Sequence, residues 1–152
     1  MRAIVGISFF MACLGSLAAS GAEPTVKVEY RFGTWEPTAG FTAAKVPGSD
    51  RTFYMPNEPD LTNADIAAAN VASSEDGKTY VVEITLKDEG ARKLSELSLL
   101  HLMQPLAILV DGKLVAAPRI LSQISRKAGI SGNFNREQAE RIAAGILGKQ
   151  TP

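Results

Sequence analysis

The chain carries one cysteine and one histidine in 152 residues, and each shortage removes a class of function. A lone cysteine, Cys13, forms no internal disulfide and builds no thiolate metal cage. The lone histidine, His101, has no Ser, Asp or Cys arrangement near it that would make it a general base or a metal ligand, which points to a structural or solvent-facing role. Charge of one sign is not in excess. The 16 basic and 16 acidic residues balance, so electrostatic capture of nucleic acid or of an anionic membrane is not expected. The carboxylates are dispersed, and there is no HExxH, EF-hand loop, P-loop or GxSxG. A carboxylate pair assembled only by the fold, and with it an envelope hydrolase, stays open. The expectation is nonetheless no enzyme, no cofactor and no metal.

What is present is 45% hydrophobic residues, enough for one globular domain with a real core. The first 22 residues have the pattern of a secretory signal: Arg2 as the only positive charge, an apolar run from Ile4 to Leu17, and the small residues Ser20-Gly21-Ala22 before a cleavage point after Ala22. Export through Sec in an unfolded state fits the absence of a twin arginine. Cleavage there removes Cys13. Acylation of Cys13 is a competing reading, against which stand the Phe10-Met11-Ala12 that precedes it and the short apolar stretch. An uncleaved anchor is another, but the run falls short of the ~20 residues that span a bilayer. An extracytoplasmic, periplasmic location with no later membrane span follows as the expectation.

Val26 to Phe32 alternates, with Val26, Val28, Tyr30 and Phe32 on one side and Lys27, Glu29 and Arg31 on the other, which predicts a half-buried strand. Gly33 to Arg51 loses periodicity and predicts a long loop, pinned to the core by Trp35 and Phe41. Residues 23–52 are thus an N-terminal strand and loop, and 53–148 the main domain. After Phe53-Tyr54-Met55, Thr62 and Asp65 have the spacing of a capping box, predicting a short helix to about Asn70. Val71–Glu75 and Lys78–Leu86 flank Asp76-Gly77, and Leu106–Val110 and Lys113–Ala117 flank Asp111-Gly112. Both pairs predict hairpins with type I′ turns, whose two central residues need positive φ. Asp111 is expected to be a turn-former and no more, and Pro118 ends its second strand.

Asp88 is placed to cap a helix from Glu89 to about Met103. Ala91, Leu94 and Leu97 form its stripe, while Leu99, Leu100, Leu102 and Met103 spread round its second half. Burial on several sides is the expectation for that half; exposure to a partner is the alternative. Ile120–Gly129 has a linker-like composition. Asn135 and Gln138 predict a second capping box, opening a helix with the stripe Ala139, Ile142, Ala143, Ile146, Leu147 and ending at Gly148.

Several separated motifs, taken in order, resemble one family. Pro105 to Pro118 (PLAILVDGKLVAAP) and Ile130-Ser131-Gly132-Asn133-Phe134 are the most specific. Phe53-Tyr54 through Glu58-Pro59 and Leu61-Thr62 to Ala64-Asp65-Ile66, Lys87-Asp88-Glu89-Gly90-Ala91-Arg92, and Glu137-Gln138-Ala139 accompany them. From Phe53 to Leu147 the chain is similar to the head subdomain of the first periplasmic domain of SecD. Asn63 stands where that family usually has glycine, a replacement expected to tolerate left-handed backbone. The resemblance implies an α+β fold, a mainly antiparallel sheet with helices packed on one face. SecD-like proteins work with SecF in the membrane, using the proton gradient to help pull preproteins across while the head engages the emerging chain, so the resemblance implies a capacity to bind unfolded polypeptide or another envelope protein.

With no long apolar stretch after the signal, this chain is expected to be no motor. It is expected to be a non-catalytic binding module for unfolded or emerging polypeptide, with Sec export components as further partners. Trp35, Phe41, Met55, Leu99 and Met103 are the candidate partner contacts, and Asp76, Gly77, Asp111 and Gly112 are structural turns. A subunit that assembles with one specific folded envelope partner is the alternative.

Overall fold

The computed structural model describes residues 24–148. The expected signal peptide, its cleavage after Ala22 and Cys13 lie outside the described residues. In chain order the elements are β1 (Val28–Phe32), β2 (Thr42–Lys45), β3 (Thr52–Met55), β4 (Leu61–Thr62), a one-turn 3₁₀ helix (Asn63–Asp65), β5 (Ile66–Ser73), β6 (Tyr80–Leu86), α1 (Asp88–Leu100), β7 (Leu106–Val110), β8 (Lys113–Ala116), β9 (Lys127–Phe134) and α2 (Arg136–Ile146). Three antiparallel sheets result: β4-β1-β7-β8, β5-β6-β9 and the hairpin β2-β3. The α+β, antiparallel architecture expected from the sequence is the one observed.

The main core is shared by Val28, Tyr30 and Phe32 of β1, Leu106 and Ile108 of β7, Val82, Ile84 and Leu86 of β6, Leu94 of α1, and Ala139, Ile142 and Ile146 of α2. The alternate residues of β7, Ala107 and Leu109, face the other way and are also buried, against Phe53 and Met55 of the β2-β3 hairpin and Leu114 of β8. Both faces of the four-stranded sheet are therefore covered, which is why β7 is a continuous apolar run rather than an alternating one.

That second layer corrects several expectations. The aperiodic stretch from Gly33 holds a strand, β2, whose Ala43 and Ala44 pair with Tyr54 and Phe53. Small residues left no hydrophobic period to read. β1 is not half-buried: Glu29 is 3% exposed, sealed beneath the hairpin and ion-paired to Lys27 and Arg31, each at 2.8 Å. Gly33 permits the hairpin's approach, since a Cβ there would lie 2.3 Å from the Tyr54 carbonyl and 2.6 Å from the Phe53 ring.

The capping box at Thr62 forms, with both reciprocal bonds, but the helix it opens lasts one turn and β5 follows. Pairing with β6 along the whole of β5 outweighs the helix propensity of three consecutive alanines. Asn63 is not in left-handed backbone. Its amide oxygen accepts from Val28 N–H at 2.8 Å, and its amide nitrogen donates to the carbonyls of Val26 and Ile146 at 2.8 and 3.1 Å. It clamps the start of β1 to the end of α2, a role beyond glycine.

The turn at Asp111-Gly112 is as predicted, with φ of 51° and 78°. Asp111 is more than a turn-former, because its carboxylate accepts from Lys27 N–H and its own N–H donates to Lys27 O. At Asp76-Gly77 only the glycine has positive φ, so the turn is not type I′. The loop is longer, closed by Ser74 N–H donating to Thr79 O and Gly77 N–H to Ser74 O. Hydrogen bonds from the Ser74 hydroxyl and the Lys78 N–H hold the Asp76 carboxyl below its usual range.

Lys87, not Asp88, occupies the N-cap of α1, and no side chain caps it. Asp88 instead pairs with Arg126. The stretch Ile120–Gly129 is not all linker, since β9 begins at Lys127 and Ile120 is buried. The second capping box and Gly148, at φ 68°, form as predicted.

Candidate functional site

Helix α1 is conventional for three turns and then stops being so. Gly90, Leu94 and Ser98 are its buried residues. Gly90 is required where the helix crosses the 3₁₀ turn, because a Cβ would meet Asp65 at 2.8 Å. Ser98 is fully buried, donating to Ser95 O and accepting from Ile124 N–H at 2.9 Å. This hydroxyl fixes the 120–126 segment against the helix. It was not legible from spacing alone.

The helix ends at Leu100 rather than Met103. His101 N–H still donates to Leu97 O, but Met103 turns into left-handed backbone, φ 68°, so that its N–H donates to Ile120 O at 2.7 Å. Ile120 N–H returns a bond to Gln104 O. Left-handed backbone is uncommon in a residue other than Gly, Asn or Asp. It is held here by the strand-like pairing that brings Leu121 beside the helix end.

The consequence is a ridge of five large apolar side chains, Leu99, Leu100, Leu102, Met103 and Leu121, between 42% and 76% exposed. The expected burial of the helix's second half is therefore overturned. Ser98 and Leu94 supply the inward face, and the leucines that follow are left exposed among the described residues. Of the candidate contacts, Leu99 and Met103 lie on this ridge. Met55 does not: it is buried in the hairpin layer, its side chain on the same side of β3 as Phe53.

Beside the ridge lie two shallow depressions that meet at Gly33, Thr34 and Gln104. One is walled by Phe32, Phe41 and His101, the other by Trp35 and Met103. The structure thus brings Trp35, Phe41 and Met103 together around the end of β1. His101 stacks on Phe32, ring centres 4.6 Å apart, and hydrogen-bonds Gln104 at 2.8 Å. Trp35 is pinned edge-on against Phe53 at 5.2 Å, with the Arg51 guanidinium 3.8 Å over its ring. These aromatics form a packed floor, as the packing role for Trp35 requires.

Titratable chemistry lies elsewhere. Burial pushes the Tyr30 phenol up, and its hydroxyl has no hydrogen-bond partner among the described residues. Burial also works to raise the Glu29 carboxyl, but hydrogen bonds and charge from Lys27 and Arg31 outweigh it and hold it low. Among the described residues no three His, Cys, Asp or Glu side chains cluster as metal ligands. No described helix is long and apolar enough to cross a membrane.

The molecule is an α+β domain whose distinctive surface is apolar and aromatic. The model of the SecDF P1 head subdomain matches residues 41–148, and the chain belongs to that family. Protein translocase subunit SecD of Elusimicrobium minutum is 34% identical over 90 residues, covering 59% of this chain and 19% of that protein. SecD of Aquifex aeolicus is 34% identical over 91 residues, 60% of this chain and 18% of its own length. This chain thus spans about a fifth of the relatives it matches. Among solved structures, SecDF in its super-membrane-facing form superposes with a TM-score of 0.66 at 24% identity, over 85% of this chain and 20% of the other. A second SecDF chain, of a membrane component described as enhancing protein export, gives 0.64 at 23%, over 86% of this chain and 66% of the other. At those identities the superpositions show the fold.

Proposed function

We propose that this protein is a non-catalytic, extracytoplasmic binding module that engages unfolded polypeptide during or after export. The observation that carries this is the ridge of Leu99, Leu100, Leu102, Met103 and Leu121. Four of these residues fall within Leu99–Met103 and Leu121 follows Ile120, which pairs with Met103, and large apolar exposure concentrated in this way marks interaction surfaces. Membership of the SecDF head family supports the export setting, and Sec components are the further partners it suggests. A ridge of flexible leucine and methionine side chains over an aromatic floor suits clients of varied sequence, since such surfaces re-pack around different partners.

The test is binding of a permanently unfolded, carboxymethylated polypeptide, followed by fluorescence anisotropy. Leu100→Ser combined with Leu121→Ser is expected to weaken binding about tenfold or more, each lost apolar contact being worth about 1 kcal/mol or more. Stability should change by less than about 0.5 kcal/mol, because both residues are exposed. Unchanged affinity in the folded double variant would remove the ridge from the account. A single recurrent folded partner, with indifference to unfolded chains, would favour the assembly-subunit alternative.

A further inference from the structure

Strand β5 is the outer strand of the β5-β6-β9 sheet and pairs with β6 alone. Its eight residues, Ile66 to Ser73, include no charge and no proline. Exposed edges are ordinarily blunted by lysine, proline or brevity, and the other sheet edges here follow that rule. β2, β8 and β9 carry Lys45, Lys113 and Lys127, while β3, the other edge of its two-stranded sheet, is four residues long and β4 two. Among the described edge strands β5 is the one that is long and free of lysine and proline; α2 packs against it, with Ala69 and Val71 on the core side.

The direction of its unpaired groups follows from the ladder. Ser74 N–H donates to Thr79 O across the hairpin at 2.9 Å, and antiparallel pairing alternates. Ala72, Asn70 and Ala68 therefore bond to β6, while the N–H and C=O groups of Ala69, Val71 and Ser73 point away from the sheet. No other described element supplies a backbone partner to them. Such a row of alternating donors and acceptors is complementary to one thing, another extended backbone.

The geometry points to β5 as a strand-addition site for an extended segment of non-native polypeptide. This rests on the polypeptide-binding function above and gives it a second, main-chain mode. Recognition through the backbone ignores client sequence, and the small side chains of Ala67, Ala68 and Ala72 leave room for whatever the client presents. A second copy of this chain fits less well. Pairing two alanine-rich edges buries little side chain, whereas a stable interface takes about 1,600 Å² in total.

The test uses the full-length protein and the same carboxymethylated polypeptide. Ala69→Pro removes one outward N–H and places a ring on the edge, a position where a strand tolerates proline; Ala69→Ser keeps the N–H. The proline variant is expected to bind about tenfold or more weakly and the serine variant within about twofold of the parent, with both retaining the parent circular dichroism. Wild-type affinity in a folded Ala69→Pro protein would overturn strand addition.

Amide hydrogen exchange on the unsubstituted protein decides the matter independently, including if the proline variant fails to fold. Added polypeptide should protect Ala69, Val71 and Ser73, and no protection overturns the assignment. Protection that rises with protein concentration alone would assign the edge to a second copy, and would also overturn it. The two modes separate cleanly. Loss of binding through the ridge variant alone leaves the proposed function standing without β5, whereas no binding by the unsubstituted protein removes both.

Discussion

Glu29→Ala is expected to destabilise the protein by about 3 kcal/mol, the scale for removing one member of a buried ion pair. The carboxylate lies under the β2-β3 hairpin, and its loss strands Arg31, whose side chain is only 14% exposed. Arg31 also donates to Pro56 O at 2.9 Å, just after β3, so the charge cannot swing out without releasing that connection. Lys27→Ala should cost less than about 1 kcal/mol, because Lys27 is 65% exposed and solvent already screens it. Urea unfolding of the two variants checks this; equal costs would show that Glu29 acts by volume and not by charge.

The same pair sets an acid dependence. Glu29 is held below its ordinary value of 4.5 in the folded state, so the folded protein binds its proton less readily than the unfolded chain. Its contribution is complete above that value and is lost as pH falls through the lower, folded one. The stability gap between the parent and Glu29→Ala should therefore narrow on acidification. A gap that stays constant would contradict the lowered value.

Phe53→Ala is expected to cost about 3–5 kcal/mol, the range for emptying a buried aromatic site. Phe53 is fully buried at the centre of the smaller core, between the hairpin and the β7 face. It also props Trp35 and presses on Gly33, so its loss should loosen the aromatic floor beside the ridge. Because that core is a satellite of the main one, hydrogen exchange in β2 and β3 should quicken before exchange in β6 does. Uniform acceleration across both cores would mean that the two layers unfold as one.

The parts of the fold that were legible in the sequence are those where local chemistry and tertiary packing agree. Asn135 with Gln138, Asp111-Gly112 and the alternation of Tyr80, Val82, Ile84 and Leu86 each specify one structure. Misreading came where packing overrides the local signal. The Thr62–Asp65 capping box is a true helix start, yet β6 claims the residues after it. Ala43 and Ala44 form a strand because Phe53 and Tyr54 are opposite, which no window around them reveals. At the candidate site, the excess of leucine after Ser98 was visible. Its exposure was not, because burial or exposure depends on Met103 turning to meet Ile120, a contact between residues far apart in sequence. Met55 is buried rather than exposed for the related reason that a strand's buried face is fixed by its neighbour.

On the proposed function, the leucine ridge touches unfolded clients in the cell envelope. A photo-crosslinking amino acid placed at Leu100, with Glu89 at the far end of the same helix as the control, tests this contact in place. Many unrelated newly exported chains should be captured from Leu100 and few from Glu89. Equal capture from both positions, or one recurrent folded protein from Leu100, would contradict it.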